Sequence, residues 1–151
     1  MKPDPDLLHL FKVKGKGQSQ YSEIFTHLKA ESMCFTNDTA NLILHIPILP
    51  QFTTPFGTLS SQSLINFIDH LALLVCHIYN PSDLVSLTLK ISFFSFPNEG
   101  QDLKIELTSQ KKSDPVYGII TVVVTSNSEL VAIGSAALKF TNNRPWRAPK
   151  I

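Results

Sequence analysis

The chain is predicted to be an α+β domain, an antiparallel sheet wrapped around one long central helix. Three observations predict this. Six stretches show strand-like apolar patterning bounded by turn residues. One segment, 60–79, is helical and apolar around most of its circumference, so it should be buried on most sides. Its neighbours are amphipathic strands, and such a helix hides best inside a curled sheet. Residues 24–140 are expected to form this domain. Residues 1–23 are read as an N-terminal helix and linker, and 141–151 as a tail.

The elements follow in order. Leu7, Leu8, Leu10 and Phe11 suggest a short helix, and Lys12–Gln20 is a Gly-punctuated polar linker. Ile24–Phe35 is strand-like, Thr36-Asn37-Asp38 a turn, and Thr39–Pro47 the returning strand. Asn37-Asp38-Thr39 also matches a glycosylation sequon, here read as the turn. Pro47, Pro50 and Pro55 make 47–57 irregular. Ser60 or Ser61 is the expected N-cap of the long helix, and Asn80-Pro81 its stop. Gln62, Ser63, Asn66, Asp69, His70 and His77 fall within a sector of roughly 120° on that helix, so it carries one polar stripe. The stripe interrupts the apolar run, which excludes a membrane span.

After the helix, four strands are expected as a meander. Val85, Leu87, Leu89, Ile91 and Phe93 alternate with Ser86, Thr88, Lys90, Ser92 and Phe94. Leu103, Ile105 and Leu107 alternate with Lys104, Glu106 and Thr108. Val116–Thr125 is β-branched on both faces and reads as a strand covered on both sides. Ser126-Asn127-Ser128 turns the chain into Leu130–Phe140. Arg144, Trp146 and Arg147 lie in a tail that is neither helix nor strand.

Composition narrows the partners. Of 151 residues, 43% are hydrophobic and only 17% charged, below the usual ~25%. Thirteen Lys and Arg against twelve Asp and Glu leave a net charge of +1, which gives no footprint for nucleic acid. So few charges imply that another chain covers part of the surface. Cys34 and Cys76 form no CxxC pair and read as reduced thiols of an intracellular protein. The start Met1-Lys-Pro-Asp-Pro-Asp6 has no apolar region of a secretory signal. His70 and His77 are seven residues apart with no third ligand, so they read as structural and no metal site is expected.

Several short motifs, in order and spacing, resemble a known family. They are Gly57-Thr58-Leu59 before the helix, Asp69 within it and Val85-Ser86-Leu87 in the next strand. Ile91-Ser-Phe-Phe-Ser-Phe-Pro97, Glu99-Gly-Gln-Asp102 and Leu130-Val-Ala-Ile-Gly134 continue the likeness. Across 24–140 the chain resembles the hotdog-fold acyl-CoA thioesterases of the phenylacetate-pathway and thioesterase-superfamily-member type.

The resemblance implies hydrolysis of fatty acyl-CoA to free acid and CoA. Asp69 would act as general base on water, or as nucleophile, and Ser86 would place the water. The backbone N–H of Ser61, at a helix N-terminus, would take the thioester carbonyl oxygen. Asp69 would work across a dimer interface, opposite that amide of the partner's helix. Gly57, Ser60 and Gln62 would line the substrate site. Lys139 and Arg144, with Arg147, are candidates for the nucleotide phosphates of coenzyme A. No cofactor is implied beyond that substrate-borne group. The family's usual His-Gly-Gly after Gly-Thr-Leu is here Ser60-Ser61-Gln62, and a frequent Asn is Thr54. Two readings follow: an active homodimeric or higher-order thioesterase, or a degenerate hotdog protein serving as a structural subunit of a larger assembly. The family's members imply a mitochondrial or cytosolic place.

Overall fold

The computed structural model describes residues 26–36, 38–79, 84–113 and 116–140; for 77–79, 84, 111–113, 116–117 and 140 it describes the backbone alone. The expected elements at 1–25 and 141–151 lie outside the described residues. Strands β1 (Lys29–Phe35) and β2 (Thr39–Pro47) precede helix α1 (Ser61–Tyr79). Strands β3 (Leu84–Phe93), β4 (Asp102–Ser113), β5 (Val116–Ser126) and β6 (Glu129–Phe140) follow it. The first strand begins later than Ile24, because Thr26 still has helical backbone.

All pairings are antiparallel, in the order β1-β2-β4-β5-β6-β3. The four-strand meander is therefore corrected. Only β4, β5 and β6 form one, while β3 leaves its sequence neighbour and pairs with β6 at the far edge. Backbone hydrogen bonds trace the connection back across the sheet end. Phe94 N–H bonds to Val131 O on β6, Leu59 N–H to Pro97 O before the helix, and Ile48 N–H to Gln101 O beside β2. The chain thus reaches β2, whose partner β4 becomes from Asp102 onward. The β5–β6 turn has positive φ at both Asn127 (49°) and Ser128 (67°), the backbone that fits a two-residue hairpin to the twist of its strands.

Alternation decides what each face meets. Leu42, Leu44 and Ile46 of β2, Leu103, Ile105 and Leu107 of β4, and Ile120, Val122 and Val124 of β5 are buried on the helix side. The helix answers with Leu64, Phe67, Ile68, Leu71, Ala72, Val75 and Cys76, a stripe at helical spacing. Phe67 meets Phe52 edge-on, with ring centroids 5.7 Å apart. The expectation that α1 is buried on most sides is corrected within one chain. Ile65, Asn66, Asp69, His70 and Leu73 are only half-buried, because the sheet packs on the opposite side of the helix among the described residues. Likewise, among the described residues, β5 is covered on one face only: Thr121 is exposed and Ile119, Val123 and Thr125 are half-buried. The outer face carries the pairs His45–Glu31 (2.7 Å) and Lys104–Glu106 (3.0 Å). The His45 hydrogen bond holds the Glu31 carboxyl below the usual range.

Gly134 sits where three strands crowd together. A Cβ there would come within 2.9 Å of Val122 Cγ1 and 3.0 Å of the Lys90 carbonyl oxygen. Only glycine lets β6 run this close to both neighbours.

Candidate active site

Helix α1 begins where its cap dictates. Its first residue is Ser61, and the preceding Ser60 Oγ accepts from Ser63 N–H at 3.4 Å. Ser60 is thus the N-cap. The N–H groups of Ser61 and Gln62 have no acceptor one turn back, so the helix end offers two backbone donors. Ser61 is exposed.

Gln62 does not close over this end. Its Nε2 donates to Asn66 Oδ1 at 3.1 Å, folding the side chain back along the helix. Phe56, at the tip of the preceding loop, is 91% exposed. Gly57 has a φ of 76° and open space around its missing Cβ. Its service in this chain is the turn itself. Gly57 N–H bonds to Thr54 O, and Thr54 Oγ1 lies 3.0 Å from Thr58 Oγ1. Thr54 thereby organises the loop that delivers the chain to Ser60.

Two turns into the helix, Asp69 and Ser86 meet. Ser86 Oγ donates to Asp69 Oδ1 at 2.9 Å. A bulge in β3 makes this contact. Ser86 opposes Leu138 and Thr88 opposes Ala137, so Leu87 is an extra residue without a ladder partner. Beyond the bulge Leu89, Ile91 and Phe93 pack toward the core. Before it the facing is inverted: Val85 (47%) and Leu87 (51%) are exposed, while Ser86 turns to the helix. Simple alternation would have put Ser86 on the outer face.

His70 Nδ1 lies 2.8 Å from the Asn66 carbonyl oxygen, so this nitrogen carries the ring proton. Gln62, Asn66 and His70 form one ladder at four-residue spacing. The sequence held that signal as the polar stripe, but the pivotal place of Asn66 appears only with the bonds drawn.

Lys139 is exposed and opposes Val85, while its neighbour Leu138 is buried and opposes Ser86. Within one chain it stands on the sheet face away from Asp69. Arg144 and Arg147 lie outside the described residues. Among the described residues no three His, Cys, Asp or Glu side chains cluster to hold a metal, and no helix is long and apolar enough to cross a membrane. An open groove of about 340 Å³ runs between Ser95–Asn98 and the Asn127 turn. It touches none of Ser61, Asp69 and Ser86.

No family model matches the chain, and no curated protein matches it in sequence. Solved structures do match in fold. Thioesterase superfamily member 2 of zebra fish superposes with a TM-score of 0.68 at 18% identity, covering 90% of this chain and 96% of that one. The PaaI protein of the E. coli phenylacetic acid degradation operon gives 0.68 at 10%, covering 90% and 94%. A hypothetical thioesterase of Streptococcus pneumoniae TIGR4, solved with coenzyme A, gives 0.64 at 16%, covering 78% and 90%. The architecture is the hotdog fold of these thioesterase-superfamily structures.

Proposed function

We propose, taking the shared hotdog fold as premise, that this chain hydrolyses acyl-CoA thioesters, fatty acyl-CoA among them. The observation that carries this reading is the hydrogen bond from Ser86 Oγ to Asp69 Oδ1. Ser86 holds one carboxylate oxygen and leaves the other for a water molecule. Asp69 takes a proton from that water as its oxygen attacks the thioester carbonyl. The carbonyl oxygen gains negative charge, which the Ser61 N–H at a helix N-terminus stabilises. Collapse of the tetrahedral intermediate breaks the C–S bond, and the CoA thiolate takes up the proton that Asp69 holds, which restores the carboxylate. The reaction needs no metal or cofactor beyond the coenzyme A that the substrate carries.

The active unit is a homodimer or a dimer of dimers. Ser61 and Asp69 are eight residues apart on one straight helix, ~12 Å along its axis. One carbonyl cannot touch both, so the amide and the carboxylate at one thioester come from different copies. We place the protein in the mitochondrion or the cytosol.

The test is hydrolysis of acyl-CoAs of graded chain length by the purified protein and by Asp69→Asn. Turnover that Asp69→Asn abolishes supports the reading. Turnover that survives it removes Asp69 from the chemistry. One observation favours the second reading, a structural subunit. Phe56, Phe94 (60%) and Phe96 (51%) are exposed, as are Val85 and Leu87, apolar side chains that a partner chain would cover. Absence of turnover at every chain length would support that reading.

A further inference from the structure

The open groove between Ser95–Asn98 and the Asn127 turn has two walls that are tied to each other. Ser95 Oγ donates to Leu130 O at 2.9 Å, and Ser126 Oγ donates to Asp102 O at 2.9 Å. Within one wall, Gln101 Oε1 accepts from Asn98 N–H at 2.7 Å. In the other, the positive φ of Asn127 and Ser128 sets the tight turn. The groove is therefore formed before any ligand arrives, which lowers the cost of binding.

Its lining is chemically selective. Phe96 stacks on Phe93, with ring centroids 5.7 Å and planes 11° apart, so one ring face is covered while Phe96 stays half-exposed. The side chains of Asn98, Asn127 and Glu129 also line the groove, and among the described residues none of the three has an internal hydrogen bond or ion pair. Together they offer four acceptor oxygens, two of them on a carboxylate. No Lys, Arg or His among the described residues lines the groove. Lys104 and His45 lie in the next groove across Asn127, where Glu106 and Glu31 hold them at 3.0 and 2.7 Å. A phosphate-bearing ligand would meet a carboxylate here and no cation. A compact ammonium would leave the ring face unused. A guanidinium is planar, stacks on aromatic faces and carries five N–H donors, which matches both the ring and the acceptors.

We propose that this groove binds an arginine side chain presented by another protein. The guanidinium stacks on the open face of Phe96, pairs with the Glu129 carboxylate and donates to the amide oxygens of Asn98 and Asn127. Phe94 and Leu130, exposed next to lining residues Ser95 and Glu129, receive an apolar residue beside that arginine. The site uses none of Ser61, Asp69 and Ser86, so it stands or falls apart from the hydrolase reading.

The test titrates the isotope-labelled whole chain with acetylated leucyl-arginyl-glycine amide, followed by NMR. The same peptide with lysine, or with citrulline as a neutral isostere, serves as comparison. The arginine peptide should shift the amide signals of Asn98, Gln101, Asn127 and Glu129 saturably. The lysine peptide should bind several-fold more weakly, and the citrulline peptide should leave the signals in place. Phe96→Ala and Glu129→Gln should each weaken the arginine peptide by ~10-fold, with thermal unfolding unchanged. Added salt should weaken it too, because the groove is open to solvent. No saturable shift, equal shifts with citrulline, or a titration that neither substitution alters overturns the proposal. Coenzyme A should not displace the peptide; displacement would assign the groove to the substrate and overturn it as well.

Discussion

Ser86 Oγ donates a 2.9 Å hydrogen bond to Asp69 Oδ1, tying the sheet's edge strand to the middle of the central helix. The two residues have unequal parts in the proposed chemistry, and substitution should show it. Asp69→Asn removes the proton acceptor, and turnover should fall by ~10²–10⁴-fold. Ser86→Ala keeps the carboxylate and loses one bond to a charged group, worth ~1.5–3 kcal/mol, so the fall should be about 10- to 100-fold. Steady-state hydrolysis of one acyl-CoA by the three proteins checks the order.

The cap at Ser60 should matter to stability before it matters to activity. Its hydroxyl serves the Ser63 N–H, and Ser60→Ala should cost ~1 kcal/mol. Thermal unfolding should show a Tm lower by about 2–4 °C for a domain of this length. Ser60→Asp, which keeps an acceptor and adds a charge favoured at a helix N-terminus, should restore it.

Two glycines should fail for different reasons. Gly134→Ala puts a methyl against Val122 and the Lys90 carbonyl, and the strands must part. A loss of ~1–3 kcal/mol is expected, larger again for Gly134→Val. Gly57→Ala meets no atom, and its cost of roughly 1–2 kcal/mol comes from the positive φ alone. Urea unfolding of the three variants should rank them Gly57→Ala, Gly134→Ala, Gly134→Val in rising cost.

Buried polar groups predict two further results. Ser109 Oγ is fully buried, and no partner is found for it among the described residues. Ser109→Ala should therefore hold or raise the unfolding free energy, by ~1 kcal/mol.

Burial pushes the Cys76 thiol up from 9.0 to about 12. The folded state thus keeps this proton where the unfolded chain has lost it. Stability from this thiol is full below pH 9.0 and declines as the pH climbs from there to about 12. At pH 8 a thiol reagent should label Cys34 in the native protein, and Cys76 only after unfolding. Rapid native labelling at both positions would contradict the buried placement.

The strands and the helix are legible in the sequence because each follows a local rule. Period-two alternation marks β2 and β4, helical spacing marks 64–76, and Ser60 and Asn127-Ser128 sit where cap and turn chemistry require them. The place of β3 is not local. Nothing in Leu84–Phe93 says that it will pair with β6, some fifty residues on, rather than with β4 next in line. The facing of Ser86 is less legible still. Alternation through Val85, Leu87 and Leu89 argues for the opposite face, and the unpaired Leu87 overrides it. Asp69 and Ser86 were nameable from motif likeness, whereas hydrophobicity and spacing alone leave them as a helix acid and a strand serine. The wide apolar circumference of the helix was legible as a demand for cover. What supplies that cover is a matter for a second surface, which one chain's pattern does not specify.

The far-edge position of β3 also sets an order in time. The strand is synthesised directly after the helix, yet its partner β6 is the last strand to be made. Until Glu129–Phe140 emerges, Leu89, Ile91 and Phe93 have no ladder to join, and Ser86 has no strand to hold it against Asp69. Closing that loop is a slow, non-local step. A nascent chain stalled before residue 129 would carry a finished β1–β2 hairpin and an unfinished site, with the apolar face of β3 open to passing chaperones.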